Sequence, residues 1–283
     1  MMRLTVKWCG ILTGVALMLA GAVEAAEKEA FRVATFNIRC PGAKAPNDWS
    51  SRAGRVRALI KRHGFDLMGL QEATAGQMDD LLAPGWNSVG GGRDDGRRGG
   101  EASCIFYKTE RFKVSASGTF WLSETPEVPG SKSWNTACTR ICTWAKLMDR
   151  RSGKQFVYFN THLDHMSAEA RKNGMALILK RMVPLAEGMP TLLTGDMNAT
   201  PGSKPIQLAT AVLHDAGVVT RAAHTGPLAT FNGFKFDRAS TAQIDYIFVS
   251  PGIHVLSHAT LDDSEKGLYP SDHFPVMADV VVE

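Results

Sequence analysis

Five apolar, strand-like runs in this chain each hand over to a polar cluster suited to phosphate chemistry, and that recurrence limits the fold more than any other feature. The clusters are Asn37, Glu72, the run around His162, Gly195-Asp196-Met197-Asn198, and Ser271-Asp272-His273. Hydrolysis of a phosphate ester needs a carboxylate for a metal or a water, an amide for an oxyanion and an imidazole for charge. Strand ends that deliver all of these argue for sheets whose edges share one site.

The runs place strands at 31–38, 66–71, 102–107, 112–122, 139–148, 156–163, 191–194, 243–249, 253–259 and 275–282. Helical periodicity appears at 49–63, 74–82 and 167–186, with a further helix starting near Ser203. In the first helix Val56, Leu59 and Ile60 share a face, with basic residues mostly opposite. Segment 90–100 is glycine-rich with three arginines and reads as a flexible loop; 123–136, with Pro126, Pro129 and Trp134, is a second long loop. Neither changes the composition around it, so 26–283 reads as one catalytic domain.

Residues 1–25 read as a secretory signal. Arg3 and Lys7 are basic, the segment from Ile11 to Ala22 is apolar, and Val23-Glu24-Ala25 offers a small-residue cleavage site. That apolar run is too short to span a bilayer, and no other approaches the roughly 20 residues needed. The expectation is an exported protein, periplasmic or secreted, monomeric and without a transmembrane segment. Removing Arg3, Lys7 and Glu24 lowers the formal net charge from +4 to +3, too small an excess to announce a nucleic-acid binder. Cys40, Cys104, Cys138 and Cys142 remain, with three complete pairings open in an oxidising compartment. Cys138 and Cys142 stand too far apart on an extended run to pair together, and Cys104 and Cys142 read as core.

Each cluster also has a plainer reading. Asn37 is a common turn former, and Glu72 suits a helix start as well as a hard cation. Asn160-Thr161-His162-Leu163-Asp164-His165 approaches the HxHxDH zinc signature of metallo-β-lactamase-like hydrolases. Asn160, however, replaces the first histidine that such a site requires. His162 is better read as a donor to a phosphoryl oxygen, while His165 is either a substrate contact or an approach to the next helix. Asp196 and Asn198, two apart on an extended segment, project to one side. Asp245 sits inside an apolar strand, where a carboxylate is costly unless paired; His273 is its leading partner.

Taken in order, Asn37, Glu72, Asn160-Thr-His162, Gly195-Asp-Met-Asn198, Ile244-Asp-Tyr-Ile247 and Ser271-Asp-His273 resemble the endonuclease/exonuclease/phosphatase superfamily over the whole mature chain. The resemblance implies an α+β fold, a four-layer α/ββ/α sandwich of two mainly antiparallel sheets. It implies one divalent ion, Mg²⁺ or Mn²⁺, on Asn37, Glu72 and Asp272, with Asp196 orienting water and Asn198 donating to the oxyanion. Asp245 would orient His273, His162 would be the second imidazole with Glu101 paired to it, and Arg140 would clamp phosphate. Arg39 stands where abasic-site endonucleases carry an acid, beside the substrate. The function expected is an exported, metal-dependent phosphoesterase acting on a small molecule, lipid headgroup or nucleic acid. Nuclease is the runner-up, and a non-catalytic binding protein is a third reading. The 121–134 loop and Thr230-Phe-Asn-Gly-Phe234 are candidate walls of a substrate pocket.

Overall fold

The computed structural model describes residues 29–237 and 242–283; residues 1–25, read above as a secretory signal, lie outside them. Two six-stranded sheets form the centre. The first contains β1 (Phe31–Asn37), β2 (Leu67–Gln71), β3 (Trp86–Val89), β4 (Ile105–Lys108), β11 (Ile253–Thr260) and β12 (Val276–Val282) in the order β11-β12-β1-β2-β4-β3. The second contains β5 (Phe112–Trp121), β6 (Ile141–Asp149), β7 (Gln155–His162), β8 (Thr191–Asp196), β9 (His214–Asp215) and β10 (Asp245–Val249) in the order β5-β6-β7-β8-β10-β9. Helices α1 (Trp49–His63) and α2 (Ala75–Leu81) cover the first sheet. Helices α3 (Ala168–Ala186) and α4 (Lys204–Thr210) cover the second. A last short helix, α5, spans Ala216–Val219. This is the four-layer sandwich the resemblance implied.

Both faces of the central strands β1, β2, β7, β8 and β10 are buried, which explains why they read as near-continuous apolar runs. Along β1, Val33 faces the opposite sheet while Ala34 and Phe36 face α1. Along β7, Phe156 and Tyr158 face inward while Val157 and Phe159 meet α3. Each fully buried large apolar side chain contributes about 1.5–3 kcal/mol, so three stacked apolar layers hold the frame on which the site stands. The ends of α1 follow from local chemistry. Asp48 accepts the Ser51 amide at the start, and Gly64 turns left-handed (φ 63°) at the stop.

Pairing is mixed. β1–β2 and β7–β8 are parallel, and their neighbours run antiparallel. The carboxyl ends of all four parallel strands therefore point to one edge of the sandwich, where antiparallel β10 and β12 begin.

Three sequence expectations change. Segment 90–100 is no flexible loop: Gly92 N bonds Arg97 O (3.0 Å), Asp94 N bonds Gly99 O (3.1 Å) and Arg93 N bonds Glu101 O (3.0 Å). A Cβ on Gly91 or Gly92 would lie 2.2 or 2.1 Å from the carbonyl oxygens of Gly96 and Gly99. Its glycines serve close backbone approach rather than looseness. β3 escaped the sequence reading because Trp-Asn-Ser-Val is a half-exposed edge strand with little apolar pattern. All four cysteines, Cys40, Cys104, Cys138 and Cys142, are free thiols, with Cys104 and Cys142 buried as expected. No described helix is long and apolar enough to cross a membrane.

Candidate active site

Strand register assembles the site. In the parallel pairs Asn37 stands opposite Gln71 and His162 opposite Asp196, while antiparallel β10 sets Asp245 opposite Asp196. The chain around Gly195 must run close to β7, since a Cβ there would meet Thr161 O at 2.2 Å. Only glycine permits Asp196 to end its strand at that height. Three site residues, Arg39, Glu72 and Asn198, adopt left-handed backbone at φ 56°, 59° and 45°. Such conformations cost a non-glycine residue about 1–3 kcal/mol and persist only where surroundings enforce them.

The enforcement is a hydrogen-bond lattice. Asn37 Nδ2 donates to Glu72 Oε1 (3.1 Å) and Asp196 Oδ2 (3.0 Å), joining the two sheets. Glu72 Oε2 accepts from Cys40 N (3.0 Å) and faces Arg39 Nη1 (3.4 Å). Arg39 Nε lies 3.7 Å from Asp272 Oδ2, so one guanidinium spans two carboxylates. Asp196 Oδ1 accepts Asn198 N (2.9 Å), and its Oδ2 lies 3.3 Å from His162 Nε2 and 3.7 Å from His273 Nε2. Asp245 Oδ2 bonds His273 Nδ1 at 2.9 Å, the dyad expected from the buried carboxylate.

Burial splits the ionisations. It raises Asp196, with Asp245 adding to the rise and His273 opposing it, to about 7. Burial alone would lower His273, but the charges of Asp245 and Asp196 and the hydrogen bond to Asp245 lift it to about 10. His162 is pushed well below 6.5 by burial and by the Arg140 and His273 charges, so it is neutral at physiological pH. A neutral His162 Nε2 accepts from Asn198 Nδ2 at 3.0 Å.

Several expectations meet a different arrangement. Glu101 does not pair with His162; its carboxylate takes Arg93 Nη1 (2.7 Å) and Nη2 (3.1 Å) in a bidentate bridge. The folded 90–100 segment pairs Gly92 with Ala102 and so lays Arg93 alongside Glu101. Asn198 Nδ2 has both hydrogens engaged, on His162 and on Leu163 O (3.0 Å), so it braces His162 rather than facing an oxyanion. Asn160 is a strut between the sheets. Its Nδ2 donates to Leu70 O and Cys104 O (2.9 Å each), and its Oδ1 accepts from Gln71 and Thr194, which disposes of the zinc reading. Arg140 is 5% exposed and donates from Nη2 to His165 Nδ1 (3.0 Å), while its Nε has no hydrogen-bond partner. The two candidate pocket loops separate. Trp134 lines a groove of about 910 Å³ along β5 and α3, whereas Phe231 sets its ring edge-on to His273 at 5.0 Å.

Sequence reasoning missed the supports. Arg52, fully buried, donates to the carbonyls of Ile38 and Arg39, and to Asn47 O (2.9 Å) and Pro270 O (3.3 Å). It thereby ties the segment after Asn37 to the segment before Asp272. The signal was available: Arg52 lies one turn before Val56 on the apolar stripe of α1. Ser271 Oγ donates to Asn37 O (2.7 Å), and Thr230 Oγ1 accepts the Ile244 and Asp245 amides. Nothing local marks those two serine and threonine roles.

The donors present fit a hard divalent ion. Glu72, Asp272, Asn37 and Asp196 offer oxygen, the preference of Mg²⁺ and Mn²⁺. Asp245 Oδ1 is buried without a hydrogen-bond partner, and Asp196 is held near 7, so the site carries more carboxylate than its donors satisfy. Asp196, Asp245 and His273 also bring ligand atoms within 4.8 Å of one another. A hydrogen bond joins Asp245 to His273, and Cys40, Glu72 and Glu101 form a second group with ligand atoms equally close.

Residues 34–273 match the family model of the Endonuclease/Exonuclease/phosphatase family. No curated protein matches the chain. Among solved structures, a Bacteroides vulgatus endonuclease/exonuclease/phosphatase is 38% identical, covering 90% of this chain and 99% of its own, with TM-score 0.86. The mannosyl-6-phosphatase of Bacteroides thetaiotaomicron is 35% identical, covering 89% and 99%, with TM-score 0.83. The human Nocturnin catalytic domain with bound sulfate, 20% identical over 90% and 94% with TM-score 0.72, shares the fold.

Proposed function

The chain belongs to the endonuclease/exonuclease/phosphatase family, whose members are phosphoesterases or nucleases that use divalent metal ions; on that premise we propose that it is an exported, Mg²⁺- or Mn²⁺-dependent phosphoric ester hydrolase. The observation that carries the reading is the Asn37 amide, which joins Glu72 to Asp196 beside the Asp245–His273 dyad. Metal-type oxygens, a water-orienting carboxylate and a charged imidazole thus meet within a few ångströms.

Glu72 and Asp272, with Asn37 and Asp196 adjacent, would hold the ion. When bound, it supplies Lewis-acid polarisation of a phosphoryl oxygen and offsets charge on the leaving oxygen. The side chains do the remainder. Asp196 orients the attacking water and accepts its proton. His273, protonated through the physiological range and fixed by Asp245, turns Nε2 to the phosphoryl group. Preorganised donors of this kind are worth about 2.7–4 kcal/mol each in comparable sites. His162, neutral and braced by Asn198, borders Asp196.

Phosphate release or product formation from a panel of monoesters, diesters, DNA and RNA, with Mg²⁺, Mn²⁺ or EDTA, tests the proposal. Turnover of at least one ester that stops with EDTA and falls at least 100-fold in Asp196→Ala supports it. Absence of turnover across the panel, or full activity in Asp196→Ala, rejects it. The Bacteroides thetaiotaomicron neighbour makes sugar 6-phosphates the first substrates to try.

A further inference from the structure

The first sheet ends at β11 and the second at β9, and α5 lies between these two edges with Gly217 against His258. The chain beyond α5 then runs beside β11, where Thr225 N bonds His258 O (3.1 Å) and Thr260 N bonds Thr225 O (3.0 Å). That register brings His224 to His258, with the two Nδ1 atoms 2.8 Å apart. Asp215, at the end of β9, is the third member. A Cβ on Gly217 would lie 3.3 Å from His258 Nδ1 and 3.4 Å from Asp215 Oδ1, so the glycine leaves open a space that both groups border. Two imidazole nitrogens this close share either one proton or one metal ion. The surroundings suit the ion. His224 Nε2 faces Pro227 O at 3.3 Å; a carbonyl only accepts, so Nε2 carries hydrogen and neutral His224 keeps its lone pair on Nδ1. Ligand histidines are commonly oriented by such a bond on the other nitrogen. His258 is 6% exposed, and burial followed by the His224 charge lowers it to about 4, so the ring is neutral at physiological pH, as a ligand must be. Asp215 Oδ1 accepts Gly217 N at 2.9 Å, which leaves the other carboxylate oxygen for a ligand.

We propose that His224, His258 and Asp215 form a site for a nitrogen-preferring divalent cation, Zn²⁺ being the best match, that staples the edge of one sheet to the edge of the other. The inference stands apart from the phosphoesterase reading. Imidazole donors suit Zn²⁺, whereas the oxygen groups of the candidate active site suit Mg²⁺ or Mn²⁺, so the two places select different metals. At Zn–N distances of about 2.0–2.1 Å, two nitrogens of a tetrahedron stand about 3.3 Å apart, so the rings part by about half an ångström. His258 passes its Nδ1 proton to Nε2, and both Nδ1 lone pairs then face the ion. The Asp215 carboxylate turns in from the far side of the Gly217 space, and water completes four ligands. The stapled segment continues to Thr230, whose Oγ1 accepts the Asp245 amide, and to Phe231 beside the His273 ring. The ion would thus anchor the strand that supports the buried dyad.

The test takes the purified protein in excess Mg²⁺ and measures Zn²⁺ uptake by calorimetry, the visible absorption of added Co²⁺, and Tm with and without Zn²⁺. His224→Ala should lose one Zn²⁺ equivalent that the wild type binds, together with the tetrahedral Co²⁺ bands. Zn²⁺ at about 100-fold over its dissociation constant should raise the wild-type Tm by about 5–10 °C, and His224→Ala should lack that shift. Asp215→Asn keeps the helix cap and should weaken uptake about 10-fold or more. Gly217→Ala removes no ligand but fills the space between His258 and Asp215, and should weaken uptake as well. Glu72→Gln, confined to the candidate active site, should leave this equivalent in place. Equal Zn²⁺ stoichiometry and equal Tm shift in wild type and His224→Ala overturn the site, whether or not the protein hydrolyses any ester. Loss of the equivalent in Glu72→Gln but not in His224→Ala overturns it too, and assigns the ion to the catalytic centre.

Discussion

Asp245→Asn isolates what the buried dyad does to charge, because an amide can still accept the His273 Nδ1–H while the negative charge is gone. In the wild type, burial works against the imidazolium, but Asp245 and Asp196 overcome it and hold His273 near 10 against an ordinary 6.5. At about 1.4 kcal/mol per unit, the charged imidazole is favoured by very roughly 4–5 kcal/mol, an upper figure for a coupled buried pair. The sign follows. A raised histidine adds stability that is complete below 6.5 and disappears as pH rises through about 10. With Asp245 neutralised, burial still lowers His273 while Asp196 and Asp272 still raise it, so the ring titrates well below its wild-type 10. Were the ring to fall to the ordinary 6.5, the protonated fraction at pH 8 would drop from nearly all to about 3%, roughly 30-fold, while about three-quarters would stay protonated at pH 6; the residual pull of Asp196 makes that the largest loss expected. The assay is the pH profile of kcat/KM with Mg²⁺, supported by an NMR titration of the His273 ring in the metal-free protein. The basic limb should move down from about 10 toward 6.5, and the defect should grow as pH rises. A variant whose basic limb stays put, or whose loss is the same at every pH, would show that Asp245 only orients the ring, and the electrostatic argument would be wrong.

Asn37→Ala removes both bonds that draw Glu72 and Asp196 together; the Mg²⁺ dissociation constant, measured by calorimetry, should rise about 10- to 100-fold. Asn160→Ala removes the side-chain donor to the buried carbonyls of Leu70 and Cys104, the second of which keeps the Leu70 amide, costing about 1–3 kcal/mol. Denaturant unfolding should register that loss while activity per folded molecule is retained; an unchanged midpoint would refute the strut. Expression of the full chain in a bacterial host with both membranes should give a periplasmic product beginning at Ala26, read by intact mass, and a cytoplasmic product retaining residues 1–25 would sink the export proposal.

Arg52 and Glu101 mark the boundary of what can be read along a chain. Arg52 breaks the apolar stripe of α1 and so advertises itself as unusual, yet its carbonyl partners lie as far away as Pro270. Local similarity paired Glu101 with His162, whereas the folded chain pairs it with Arg93. The fold-back of 90–100 that presents Arg93 depends on glycine contacts with other glycines in the same segment. Composition suggested mobility there, and geometry produced a tight, hydrogen-bonded turn.

The order of apolar runs and polar strand ends carried the resemblance to the family and its sandwich, because buried strands and phosphate chemistry each accept few residue types. The Asp245–His273 dyad was legible too, since a carboxylate inside an apolar strand must find a partner. Only the folded molecule decided the couplings: Asn37 reaching Asp196 across 159 residues, Glu101 choosing Arg93, and Asn198 bracing His162. It also decided that Asp196 sits near 7 while His273 sits near 10. Those properties come from burial and from charges brought together by strand register, quantities that exist only once the sheets have packed.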